Sequence, residues 1–197
     1  MPQSLHSAIY SSLDGKVVLV TGGASGIGKA IVEAFVAQKS RVLFCDVQDE
    51  VAQTLIERLR QPEYVPPQYF HCDLTNIEEL QQTLDRVLRS VPAIDVLVNN
   101  AGNDKRHSIE EVTPDFWDWC IQTNLKHQFF MAQAVLPGMR KAKRGAIINM
   151  GSIAWMIPST GVPVYATAKA AIVGLTRTLA HEVGGEGIRV NCVLPGA

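Results

Sequence analysis

No run of about 18 uninterrupted apolar residues occurs in the 197-residue chain, so a membrane-spanning helix is not expected. Residues Met1 to Leu13 hold no apolar core behind basic residues, which speaks against an export signal. An excess of one charge is missing as well: 18 basic residues stand against 19 acidic ones. A net charge of -1 supplies no field to gather phosphate backbones, and the only dense basic group, Arg140, Lys141, Lys143 and Arg144, reads as a solvated helix end. A nucleic-acid partner is therefore not expected. The four cysteines, Cys45, Cys72, Cys120 and Cys192, form no C-x-x-C pair, so neither a metal cluster nor a redox motif is expected. These absences leave a soluble cytoplasmic protein with reduced, buried thiols.

What is present is alternation. Lys16 to Val20 is a short Val-rich run between Asp14-Gly15 and Thr21-Gly22-Gly23, the pattern of a buried strand. Gly26 to Gln38 then places Ile27, Ile31, Ala34 and Phe35 at helical spacing, and Val42 to Cys45 is apolar again. Helices are expected near 50–60, 77–89, 115–139 and 165–183, and strands at 69–72, 96–98, 146–150 and 189–193. Parallel strands need crossovers, and right-handed crossovers put helices on both faces of a sheet. The expected fold class is α/β, a doubly wound parallel sheet in one domain over 16–197, preceded by an extension over 1–15.

Thr21 to Gly28 falls where the first strand becomes the first helix. Gly22, Gly26 and Gly28 permit a tight turn and close backbone approach, while Ser25 and Ile27 lie where free helix N-H groups can meet a pyrophosphate. Asp46 ends the second strand, 18 residues beyond Gly28, where a carboxylate can accept from an adenosine ribose and repel a 2′-phosphate. NAD is expected over NADP. Asp73 and Leu74, after the third strand, suit an adenine; Asn100 and Gly102, after the fourth, let the chain pass close to a ligand.

Tyr165 and Lys169 are four positions apart, on one face of a helix. A cation beside the phenol would lower its pKa and allow proton exchange near neutral pH. Ser152 follows the fifth strand and could hold a substrate oxygen. No G-x-S-x-G elbow surrounds it, and no histidine has a triad partner, which favours oxidation-reduction over hydrolysis.

Thr21 to Gly28, Asn99 to Gly102, Asn124, Ser152, Tyr165 with Lys169, and Pro195-Gly196 appear in order over nearly the whole chain. In this conjunction the sequence resembles the short-chain dehydrogenase/reductase family. The resemblance implies a Rossmann-type fold, Tyr165 as general acid/base, and Lys169 on the nicotinamide ribose lowering the tyrosine pKa. It further implies Ser152 on the substrate oxygen, Asn124 in a water-linked proton relay, and Pro195 and Gly196 at the cofactor. A homotetramer is implied too, with Trp119, Phe129 and Phe130 as candidates for either interface or core.

Asp104, Arg106, His107 and Trp155 are similar to their counterparts in NAD-dependent sugar dehydrogenases of this family, which suggests a sugar or sugar-acid substrate. Charged and ring groups can bind several hydroxyls, and an indole offers a face to C-H groups. The alternative enzyme is an NAD(P)H-dependent reductase of a less polar ketone. Family members continue past Pro195-Gly196 into a substrate-covering segment and a seventh strand. The resemblance thus also raises a non-catalytic nucleotide binder if Ala197 is a native end, or a fragment of a longer enzyme, the favoured expectation.

Overall fold

A computed structural model describes residues 8–196; residues 1–7 of the expected extension lie outside the described residues. Six parallel strands, β1 (Val17–Thr21), β2 (Arg41–Asp46), β3 (Gln68–His71), β4 (Val96–Asn99), β5 (Gly145–Met150) and β6 (Ile188–Val193), form one sheet in the order β3-β2-β1-β4-β5-β6. The crossovers are helical: α1 (Gly26–Ala37), α2 (Asp49–Leu59), α3 (Ile77–Ser90), α4 (Pro114–Ile121), α5 (His127–Ala142) and α6 (Pro163–Val183). This is the doubly wound α/β fold. Its strand order reverses between β1 and β4, where such sheets leave a crevice at the carboxyl ends of the strands.

Strand side chains alternate between two cores. Leu19, Leu43, Leu97 and Ile147 face one layer; Val18, Val20, Phe44 and Val98 face the other. Every residue of β1 is consequently buried, which explains the apolar run Val17 to Val20.

Two departures from the expected elements bear on the site. β1 extends through Thr21, whose Oγ1 accepts from the Asn100 and Ala101 N-H groups at 2.9 and 3.0 Å and so ties the β1 and β4 edges together. The long helix expected over 115–139 is interrupted by a π-helical turn, Gln122–Lys126. Asn124, fully buried within it, donates from Nδ2 to the Cys120 carbonyl at 3.0 Å, a side-chain bond in place of the regular backbone ladder. Of the four cysteines, Cys45, Cys72 and Cys120 are buried, whereas Cys192 near the sheet edge is only half-buried.

Candidate active site

The carboxyl edge of the sheet opens into a cavity of about 960 Å³. Every position expected at a cofactor, from Gly22 in the first loop to Gly196 after β6, lies on its wall.

At one end the chain folds tightly on itself. Gly22 has φ +66°, and a Cβ on Gly28 would lie 1.8 Å from the Gly22 carbonyl oxygen and 2.5 Å from Asn100 Nδ2. Only glycine satisfies both positions. The Ser25 side chain makes no cap bond to α1, so the first-turn N-H groups remain open to an anion. Asn100 holds the loop, donating from Nδ2 to the Thr21 and Gly22 carbonyls at 3.1 Å each.

Asp46 is only 6% exposed. Its Oδ1 accepts from Val47 N, Gln48 N and Gln48 Nε2 at 2.8, 3.1 and 3.1 Å, while Oδ2 accepts from Ala24 N alone at 3.0 Å. A carboxylate oxygen has about two lone-pair sites, so Oδ2 retains an acceptor position and Oδ1 does not. Gln48, not singled out in the sequence, also donates to Ser25 Oγ at 3.0 Å, joining β2 to the glycine loop. On β3's side, Asp73 Oδ1 binds the N-H and hydroxyl of Thr75 at 2.9 and 2.7 Å, so this carboxylate also shapes its own turn.

At the other end stand Ser152, Tyr165 and Lys169. Lys169 is 3% exposed and donates from Nζ to the Met150 carbonyl at 2.8 Å. Its ammonium lies over the Tyr165 ring, 5.5 Å from the centroid. Burial accordingly dominates both groups. The Lys169 amine is pulled down to about 8, and the Tyr165 phenol is raised above its ordinary value, opposed by the Ser152 hydroxyl and by the charge of Arg106.

Asn124 of the π-helical turn is fully buried. Its Oδ1 accepts from Asn103 N at 2.8 Å and its Nδ2 donates to the Asn103 carbonyl at 3.0 Å, so the side chain clamps the segment after β4 beneath the cavity instead of lining it. Gly102 is pressed against this clamp, since a Cβ there would meet Asn124 Oδ1 at 3.0 Å and Lys169 Nζ at 3.2 Å. His127, one turn further on, donates to or accepts from no substrate position: it is fully buried near the Ala101 carbonyl, and burial pushes its pKa down to about 3.

Of the six expected substrate contacts, Ser152, Tyr165, Asp104 and Arg106 line the cavity, the last two facing each other at 3.9 Å. His107 and Trp155 do not line it. The His107 ring is 7% exposed, with Nδ1 donating to the Lys105 carbonyl at 2.8 Å and Nε2 accepting from Val164 N at 3.3 Å. Both nitrogens are spent on backbone, so His107 positions the loop and the start of α6. Trp155 is 38% exposed in the turn after Ser152 but off the cavity wall. Besides Tyr165, Trp119 of α4 brings an aromatic ring to the cavity wall, accompanied by Thr123 four residues later. Sequence spacing left Trp119 undecided between core and interface.

A family model described as short chain dehydrogenase matches residues 16–197. The chain belongs to the short-chain dehydrogenase family. It is 47% identical over 192 residues to a D-xylose 1-dehydrogenase of Caulobacter vibrioides, covering 98% of this chain and 75% of the relative. A probable galactose dehydrogenase of Rhizobium meliloti is 42% identical over 193 residues, with the same coverage of 98% and 75%. Among solved structures, a metagenomic short-chain oxidoreductase in complex with NADP superposes with a TM-score of 0.89 at 32% identity, covering 95% of this chain and 85% of that one. This dehydrogenase is accordingly an oxidoreductase acting on CH-OH groups with a nicotinamide cofactor. Among the described residues no helix is long and apolar enough to cross a membrane.

Proposed function

We propose that this dehydrogenase oxidises a sugar or sugar acid with NAD, taking an aldose C1 carbinol to the lactone or a secondary alcohol to the ketone. The observation that carries the reading is that Tyr165, Lys169 and Ser152 line the same cavity as the glycine loop and Asp46. The sugar dehydrogenases among its relatives support the substrate class.

The cradle fits a dinucleotide: a turn at Gly28 too tight for any Cβ and the uncapped start of α1 leave backbone donors for a pyrophosphate. When bound, the nicotinamide ring supplies a hydride acceptor. The chain's own groups do the rest. Tyr165 takes the hydroxyl proton, Ser152 holds the substrate oxygen as charge builds, and Lys169 grips a ribose while its positive charge favours the phenolate once the cavity fills. Asp46 favours NAD, because the remaining acceptor site of Oδ2 suits a 2′-hydroxyl and its charge repels a 2′-phosphate. Asp73 and Leu74 border the adenine, Pro195 and Gly196 the nicotinamide half, and Asp104 with Arg106 the substrate hydroxyls.

A cytoplasmic homotetramer belongs to the same proposal, supported by Phe129 standing 49% exposed on α5. The test is NAD and NADP reduction across aldoses and sugar acids, with Tyr165→Phe alongside. Turnover with NAD and at least one aldose, lost on Tyr165→Phe while cofactor binding persists, is expected. Activity confined to less polar ketones with NADPH would overturn it.

A further inference from the structure

Trp119 lines the cavity and packs within a small cluster of side chains from the segment after β4 and from α4. It packs against Phe116 with ring centroids 5.5 Å apart, and Lys105 Nζ lies 5.9 Å from the centroids of both rings. Phe116 in turn meets the His107 ring at 4.6 Å, and His107 is fixed to Val164 at the start of α6, next to Tyr165. An indole is thereby tied, through the Phe116 and His107 side chains, to the helix that carries the proposed base. Below it, the clamp of Asn124 on Asn103 fixes the segment bearing Asp104.

An indole on the wall of the cavity that holds Tyr165, together with the Asp104 carboxylate paired to Arg106 at 3.9 Å, has a defined chemical complement. A cyclic sugar presents a contiguous patch of C-H bonds on one face and hydroxyls around its rim. The C-H patch is attracted to the electron-rich face of an indole, and the rim hydroxyls donate to a carboxylate. An open-chain polyol holds no such fixed patch, and a simple ketone offers no hydroxyl rim.

We infer that Trp119 is the sugar-stacking residue of this site and selects a cyclic aldose over open-chain polyols. The inference rests on the sugar-oxidising reading and narrows it. The step is then oxidation of the ring C1: the C1-H leaves as hydride to NAD, the O1 proton goes to Tyr165, and the C1-O1 bond becomes the lactone carbonyl.

Kinetics and binding test it together. In Trp119→Leu, which keeps apolar bulk but loses the ring, KM for the aldose rises about fivefold or more, while KM for NAD changes less than about twofold. Trp119→Phe falls between, and Trp155→Phe matches wild type. In a Trp117→Phe/Trp155→Phe variant, where Trp119 is the sole indole of three, adding the aldose shifts its fluorescence. Unchanged aldose KM in Trp119→Leu, together with silent fluorescence, overturns the platform while leaving the sugar-oxidising reading standing. An equal loss toward an open-chain tetritol overturns the selection for rings. A wild-type protein that oxidises no aldose overturns both readings.

Discussion

Removing the charge of Lys169 should strengthen the fold at neutral pH while stopping catalysis. The amine is 3% exposed and held at about 8 instead of 10.5, with burial as the main cause. An unfolded chain binds that proton more tightly than the folded one, so protonation favours unfolding. The penalty grows as pH falls below 10.5 and is complete below about 8, where it amounts to about 3 kcal/mol. Lys169→Met abolishes it but strips the Met150 carbonyl of its donor, which costs about 1 to 2 kcal/mol. The expected net gain at pH 7 is about 1 to 2 kcal/mol, or roughly 3 to 6 °C in Tm for a chain of this size. Toward pH 10.5 the gain disappears and reverses, because a neutral lysine keeps its hydrogen bond without the burial penalty. Urea unfolding of the cofactor-free protein at pH 7 and pH 10, for wild type and variant, reads this crossover. A variant less stable at pH 7 by an amount that stays the same at pH 10 would refute the reasoning.

Other substitutions separate scaffold from chemistry. Gly28→Ala forces its Cβ into the Gly22 carbonyl, so NAD and NADP binding, followed by calorimetry, should both fall at least about tenfold. His107→Ala deletes two backbone partners and the stack on Phe116, and should lower stability by about 2 to 3 kcal/mol in chemical denaturation. His127, held near 3 against an unfolded value near 6.5, contributes stability that is present above about 6.5 and lost as pH falls through 3. His127→Gln should therefore flatten the acid limb of a stability profile by up to one proton, about 1.4 kcal/mol per pH unit. Asp46→Ser should improve NADP use relative to NAD in steady-state assays, by removing the charge that opposes a 2′-phosphate.

The alternation of Val-rich runs with helical spacing was enough to specify the α/β class, because parallel strands buried on both faces leave an unbroken apolar signature, as in β1. The glycine positions were legible for a similar local reason: Gly22 and Gly28 answer to backbone geometry within eight residues of each other. Tyr165 and Lys169 share a helix, so their adjacency followed from helical pitch alone. What the sequence could not decide was direction. Lys169 lies over the tyrosine ring because the Met150 carbonyl, on another element, takes its proton donor. His107 turns away from the cavity because Val164, 57 residues later, needs an acceptor. Sequence pointed to Trp155 for the substrate and left Trp119 between core and interface, yet Trp119, packed on Phe116 and under Lys105, lines the cavity and Trp155 does not. Local spacing sets which residues can share a face; long-range hydrogen bonds and packing set where each side chain points, and the chemistry depends on that direction.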